Sequence, residues 1–358
     1  MTLSPEQREQ ARTDPLSFRF AAGRAAASSR EDAVAWLIDR RADGALQSVE
    51  QAVLLYRQTQ DDLVATGIVA DASIAAYESK RVKRHERTFA KTLHKMADYM
   101  SSTRVYGNPI SLTHRPDPQI STLTSAITAQ PAYISFKTVD DVTHEMWLVE
   151  GSQAEDLCSR FTTDLYITDG HHRLAAAAAV SAEEGRTDAY LPAGVFSSEQ
   201  LRLRVFARCI VDPQLDIAAA IDRISSQHQL DEVGDNEVRP RASGEFGVKL
   251  GDRYFRMQLD VRQAETSPPD SLDVKMLQDH VLGPVFGITK PRNDKRLGFV
   301  ADLRGQSPTA IEADAWFLPF PVQVSDVMAV ADSGKVMPAK STWFAPKVPS
   351  GLAIRTLD

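Results

Sequence analysis

The sequence predicts a mixed α/β protein carrying an additional α+β region towards its C-terminus, and three observations lead to that class. Short runs rich in β-branched and aromatic residues alternate with stretches whose apolar residues recur at helical spacing. Strand, polar turn and helix follow one another directly in LYITDGHHRLAAAAAVSAEEGR, residues 165–186. The length of 358 residues exceeds one ordinary domain, which implies two compact units or one large unit with insertions.

Taken in order, REDAVAWLIDR at 30–40 places Ala33, Trp36 and Leu37 on one helical face, with acidic residues at its front. Ala52–Gln58 and Thr66–Ala70 are apolar runs across a polar interval and predict two paired strands. From Thr88, a plausible N-cap, Phe89, Leu93, Met96 and Met100 recur at i, i+4, i+7 and i+11, so a helix with one buried face is expected. Tyr106–Leu112 reads as a strand interrupted by Asn108 and Pro109, and Ala132–Thr138 with His144–Val149 as a strand pair around Asp140 and Asp141. Leu165–Ile167 is a further strand, and the Ala-rich helix after it stops at Gly185. Beyond Pro192, strand-like runs at Leu201–Val211 and Gly247–Leu259 flank a helix around Ile217–Ser226. QAETSPPDS is the clearest linker; after it come a helix at Leu272–Leu282, a charged turn PRNDKR, and strands at Leu297–Ala301, Ala315–Phe320 and Leu352–Leu357.

Composition narrows the function classes. Lys and Arg number 41 against 48 Asp and Glu, a net charge of -7, which disfavours a broad nucleic-acid or anionic-membrane surface. Two cysteines, Cys158 and Cys209, make neither a disulfide framework nor a thiolate zinc site, and a reducing cytoplasm is the expected compartment. No run approaches the roughly 20 apolar residues that span a bilayer.

The string most suggestive of chemistry is Asp169-Gly170-His171-His172-Arg173, between a strand and a helix. Free backbone N–H groups and the helix dipole favour an anion there. Arg173 brings a multi-donor fork, the histidines bring donors, Gly170 permits close backbone approach, and Asp169 offers oxygen to a hard cation such as Mg²⁺. The bland alternative is a capping Asp, a turn Gly and solvated side chains. Zinc suits the histidine pair less well, since consecutive residues point apart and no third ligand follows at helical spacing.

A second string, Arg84-His85-Glu86-Arg87-Thr88, sets one carboxylate among Lys83, Arg84, Arg87 and Lys91, a setting that favours an ionised proton acceptor. Alone it equally describes a solvated helix face. A third, Met337–Lys347, carries Lys340, Ser341, Thr342 and Lys347, able to clamp a phosphate or to form a Pro-bounded loop. In HEMW, alternation puts Glu145 and Trp147 on one face and His144 on the other, and the spacing is not that of a zinc peptidase.

The ordered set PLSF (15–18), YRQ (56–58), VKRHERT (82–88), HEMW (144–147), LYITDGHHR (165–173) and MPAKSTWFAPK (337–347) resembles the family catalogued as domain of unknown function 1015, over nearly the whole chain. Through VKRHE and DGHHR, that family is similar to the ParB-like free-serine kinases. The resemblance implies a ParB/sulfiredoxin-like catalytic core with an N-terminal extension within 1–212; the strand and helix runs beyond it predict a small α+β segment at 213–262, and the Lys-Ser-Thr string a C-terminal region, 263–358, packing back on the core. It implies Glu86 as base, with His85 and Asp169 beside it in the catalytic set. Gly170, His171, His172, Arg173, Lys340, Ser341 and Thr342 would bind nucleotide phosphates, Arg57, His144 and Trp147 the substrate, and Asp169 the Mg²⁺. The expected reaction moves a phosphoryl group from ATP or ADP to the hydroxyl of a free amino acid such as serine. The partners are then a nucleotide and a small hydroxylated molecule, without nucleic acid or membrane.

Two departures stand out. Where the kinases carry a His-Arg pair this chain has Ala207-Arg208, and the GExR-type motif and helix-turn-helix of the partition proteins are missing. A different class of function fits the same strings, a nucleotide-binding regulatory module without turnover. A third, metal-assisted hydrolysis by His171 and His172, requires a tightly bound transition metal.

Overall fold

A computed structural model describes residues 49–139, 141–259, 268–301, 312–338 and 340–356, with single positions at 35, 39 and 42. The helix expected at 30–40, the PLSF string and the first half of the linker lie outside the described residues. Two compact units result, one within Met1–Arg202 and Pro346–Asp358, the other within Leu203–Ala345.

The first unit begins with a hairpin, β1 (Ala52–Gln60) and β2 (Leu63–Ser73), where the paired strands were expected. It continues through α1 (Ile74–Glu78), β3 (Val82–Lys83), α2 (Ala90–Thr103), β4 (Val105–Tyr106), β5 (Ile110–His114), α3 (Pro118–Thr128), β6 (Ile134–Lys137) and β7 (Thr143–Glu150). Then come α4 (Gly151–Ser159), β8 (Leu165–Asp169), α5 (His171–Glu183) and β9 (Tyr190–Ser197). Eight strands form one mixed sheet in the order β3-β8-β5-β9-β2-β1-β7-β6. Its parallel pairs are β3 with β8 and β5 with β9; every other pairing is antiparallel.

Among the described residues, two apolar clusters pack on this sheet. Met100 of α2 and Leu174, Ala176, Ala177 and Val180 of α5 bury against Ile110, Leu112, Ile167, Ala193 and Val195. The run of alanines lets α5 lie close, because each presents only a methyl group to its neighbours. Elsewhere Ile120 of α3 and Ala154 and Leu157 of α4 pack on Val53, Leu55, Ile68, Trp147 and Val149. Gly185, just past the end of α5, has φ +66°, the left-handed conformation that closes a helix without steric cost.

The chain passes through β10 (Arg202–Arg204), whose first residue closes the first unit, into the second, which contains β11 (Phe206–Ile210), α6 (Ile217–Ser225), β12 (Gln229–Glu232), β13 (Glu245–Leu250), β14 (Arg253–Gln258), α7 (Asp273–Leu277), β15 (Leu297–Ala301), β16 (Ala315–Pro319), α8 (Val324–Asp332) and β17 (Trp343–Ala345). Six of these strands make an antiparallel sheet, β12-β14-β13-β16-β11-β15. Ile224, Met276, Leu277, Val281 and Leu282 pack on Phe246, Val248 and Phe317 in its main core. After Pro346 the chain belongs to the first unit again, where β18 (Arg355–Thr356) pairs with β4.

Several local expectations are revised. Phe89, not Thr88, is the N-cap of α2, and Phe89 is exposed rather than buried. The run 201–211 divides into β10 and β11 around Val205, and the helix at 272–282 passes from α7 into a π-helical turn, Gln278–Leu282. Of the strand expected at 352–357, residues 352–354 stay outside the ladder and Arg355–Thr356 are paired. Among the described residues no helix is long and apolar enough to cross a membrane.

Candidate active site

The parallel register of β3 and β8, Val82 beside Leu165 and Lys83 beside Tyr166, makes the two strands leave the sheet at the same end. From β3 the chain runs into Arg84, His85 and Glu86; from β8 it turns at Gly170 into α5. Gly170 has φ +95°, and a Cβ there would lie 2.6 Å from Ile110 Cγ2. That turn demands glycine both for its dihedral and for its room. It leaves the N–H groups of the first turn of α5 without intrahelical acceptors, an arrangement that draws anions.

Two cations flank the turn through Asp169. Its Oδ2 accepts from Arg173, one helical turn on, and its Oδ1 accepts from Lys347 Nζ at 2.5 Å. Arg173 also donates to the carbonyls of Asn108 and Pro109, at 3.0 and 2.5 Å, which fixes its guanidinium beside Gly170. Lys347 is thus the residue of the Met337–Lys347 string that reaches the DGHHR loop.

The histidines tie the segment 84–89 to α5. His171 Nε2 accepts the backbone N–H of His85 at 3.4 Å, and His172 Nε2 accepts that of Phe89 at 3.1 Å. Acceptance at Nε2 places the ring hydrogen of each neutral histidine on Nδ1. His171 Nδ1 lies 3.7 Å from Glu86 Oε2, so its N–H side faces the carboxylate. The His172 ring stacks on Phe89, with centroids 5.7 Å apart and planes at 20°. His85 sits behind them, edge to face with His171 at 4.5 Å.

Electrostatics keep these rings neutral. Complete burial takes the His85 pKa down to about 3, against a smaller opposing contribution from its hydrogen bond with the Ile167 backbone. Burial chiefly, then the neighbouring His85, His172, Arg84 and Arg173, holds His171 well below the usual histidine range. Partial burial lowers His172 as well. Glu86 is about one-third exposed and open to a ligand, with a side-chain exposure of 38%.

The remaining expected residues belong to other elements. Lys340, Ser341 and Thr342 belong to the second unit. There Lys340 stands over the Phe206 ring at 5.2 Å and its carbonyl accepts from Arg208, while buried Ser341 donates to the Pro338 carbonyl. Arg57, His144 and Trp147 are on β1 and β7, four and five strands from β8 in the sheet order. Arg57 lies 5.0 Å over Trp147 and 3.7 Å from Glu145, on one face; His144 is buried on the other, 2.8 Å from the Tyr56 hydroxyl. Phe89 joined the site unforeseen, because helical spacing pointed it at the core.

Mg²⁺ keeps near-octahedral oxygen ligation, commonly one or two carboxylates plus substrate phosphates. Both oxygens of Asp169 are held by cations, and among the described residues no group of three or more His, Cys, Asp or Glu is placed to hold a metal. This arrangement does not fit Asp169 as a ligand of a divalent cation.

Among solved structures, C-terminally truncated SbnI from Staphylococcus aureus is similar at 13% identity and a TM-score of 0.44, covering 81% of this chain and 87% of that one. Free serine kinase in complex with AMP is similar at 14% identity and a TM-score of 0.39, covering 81% and 92%. A conserved hypothetical protein from Pyrococcus furiosus follows at 14% and 0.38, covering 79% and 93%. No curated protein matches the chain. The family model described as protein of unknown function (DUF1015) matches residues 6–275, about three quarters of the sequence, and the chain belongs to that family.

Proposed function

We propose that this protein is a small-molecule kinase that moves a phosphoryl group from ATP or ADP to the hydroxyl of a free amino acid such as serine. The observation that carries the reading is the placement of Glu86 beside the start of α5, 3.7 Å from His171, at the end of the sheet where Gly170, Arg173 and Lys347 also gather. Phosphoryl transfer asks a protein for positioning and charge neutralisation more than for covalent chemistry. In this reading the first-turn N–H groups of α5 and the Arg173 and Lys347 cations hold the phosphates. Glu86 accepts the hydroxyl proton as the oxygen attacks phosphorus. His171 orients Glu86 from behind, its tautomer set by the His85 N–H, and His85 supports His171. The amino-acid acceptor follows from the resemblance of VKRHE and DGHHR to the free-serine kinases.

The test incubates the full chain with ATP or ADP, Mg²⁺ and a mixture of free hydroxy amino acids, with mass spectrometry of the products. A phosphorylated amino acid is expected. Glu86→Gln should lower turnover by about 10²- to 10⁴-fold, the usual contribution of a general base, while leaving nucleotide affinity unchanged. Arg173→Ala should weaken nucleotide binding. Nucleotide binding without any product, or turnover that survives Glu86→Gln, overturns the kinase reading.

A further inference from the structure

The first unit holds a second opening, a cavity of about 310 Å³ where the ends of β5 and β9 lie side by side and α3 begins. Its polar lining includes Thr66, His114, Asp117, Ser197, Glu199 and Gln200, with the Ser121 and Thr124 hydroxyls of α3. It is separate from the site above. Ser111 pairs with Asp169, whereas His114 stands three residues further along β5, about 10 Å at strand rise.

The lining has a definite sign. His114 is only 4% exposed, and its Nδ1 lies 2.7 Å from the Arg115 carbonyl. A carbonyl can only accept, so Nδ1 carries the hydrogen and Nε2 keeps a lone pair. Burial, the largest influence, lowers the pKa of this ring and favours the neutral form. Among the described residues nothing donates to that Nε2. The start of α3 would ordinarily attract an anion, but Asp117 already supplies one, its Oδ1 accepting from the N–H groups of Gln119 and Ile120. Glu199 has no ion-pair partner among the described residues. Gln200 Oε1 takes the Thr66 N–H, and Thr66 Oγ1 takes Arg57 Nε. Among the described residues no lysine or arginine lines the cavity. Two carboxylates and the lone pair of a buried histidine therefore line a small space, and Arg57, beside it on β1, gives its Nε hydrogen to Thr66.

We propose that this cavity binds a small organic cation, a primary ammonium bearing a hydroxyl arm. The ammonium faces the carboxylates of Asp117 and Glu199, and a hydroxyl or N–H donates to His114 Nε2. The volume lies at the small end of ligand pockets, which limits the occupant to a compact molecule.

The experiment uses ethanolamine as the probe on the full chain, with acetate and ethylene glycol as the anionic and neutral controls of similar size. Saturation-transfer NMR detects contact, and calorimetry gives the affinity. Ethanolamine alone should bind. Glu199→Gln should weaken it about threefold, as for an exposed charge pair. His114→Phe keeps the ring and removes the acceptor, and should weaken it about tenfold. Should His114→Phe fail to fold, Asp117→Asn, whose amide oxygen still caps α3, serves with Glu199→Gln in its place. Arg173→Ala should bind ethanolamine like the unaltered chain, which separates this cavity from the nucleotide site. Absence of transfer to ethanolamine, equal transfer to all three probes, or affinity unchanged by both substitutions overturns the proposal.

Discussion

The neutrality of His85 makes a quantitative statement about stability. Its pKa is about 3 in the folded chain and about 6.5 when unfolded. Between those values the unfolded state binds a proton that the folded state refuses, so stability is intact above pH 6.5 and falls as the pH drops. Each unit in that window costs about 1.4 kcal/mol, and integration from pH 7 to pH 5 gives about 2 kcal/mol for His85 alone. His171 is depressed in the same direction and adds to the loss. Against a total stability of roughly 5–15 kcal/mol this is a visible fraction. Hydrogen exchange of the segment 165–176, followed along a urea series at pH 7 and pH 5, reports the opening of β8 and the start of α5 directly. His85→Gln removes the titrating group while carboxylates elsewhere titrate equally in both proteins. Its pH 7 to pH 5 loss should be about 2 kcal/mol smaller than that of the unaltered chain. Equal losses in the two proteins refute the claim that His85 is buried and neutral; His85→Phe repeats the comparison if the Gln side chain disturbs packing.

Other substitutions probe the same framework. Gly170→Ala forces a left-handed φ on a residue whose Cβ meets Ile110; a stability loss of at least about 1–2 kcal/mol is expected in thermal melts, with weakened nucleotide binding in calorimetry. Lys347→Ala removes one exposed cation from Asp169 and should reduce nucleotide affinity about threefold, an effect that shrinks as salt is raised. Tyr56→Phe deprives Gln58 and His144 of the buried hydroxyl between them, and should cost about 1–3 kcal/mol in urea titrations while leaving nucleotide binding untouched.

What local pattern can show, it showed. The hairpin of β1 and β2, the pair β6 and β7, the strand β8 and the Ala-rich α5 ending before Gly185 all rest on periodicity and caps within a dozen residues. The opposite faces of Glu145 and His144 followed from strand alternation. Where a distant group intervened, local reasoning failed. Thr88 is the better capping residue by type, yet the extended N-cap conformation falls on Phe89, whose N–H is committed to His172, 83 residues away. The same contact explains why Phe89 stacks at the surface although helical spacing aimed it inward. The approach of Lys347 to Asp169 spans 178 residues, beyond any spacing rule. The cavity around His114 drew on the ends of separate strands and a helix, and its residues carried no motif.

The candidate site depends on β3, a strand too short to have been read from the sequence. Two residues pair it with β8, yet that pairing alone decides whether Glu86 and the α5 N-terminus share one end of the sheet. Were the pairing antiparallel, the two chain exits would lie at opposite ends and Glu86 could not meet His171. The structure reinforces this short contact from outside the ladder. Arg81 and Lys83 both reach Asp164, at 3.4 and 2.7 Å, the Leu165 N–H is taken by the Arg81 carbonyl at 2.8 Å, and His85 donates to His171 just beyond the last pair. Each of the surface ion pairs is weak by itself. Together they flank a two-residue ladder on both sides, so a small free energy at each point becomes a choice of strand direction. The buried neutrality of His85 belongs to the same device: a protonated ring at that position would lose its place behind His171, and the Glu86 carboxylate would lose the neighbour that holds it beside the start of α5.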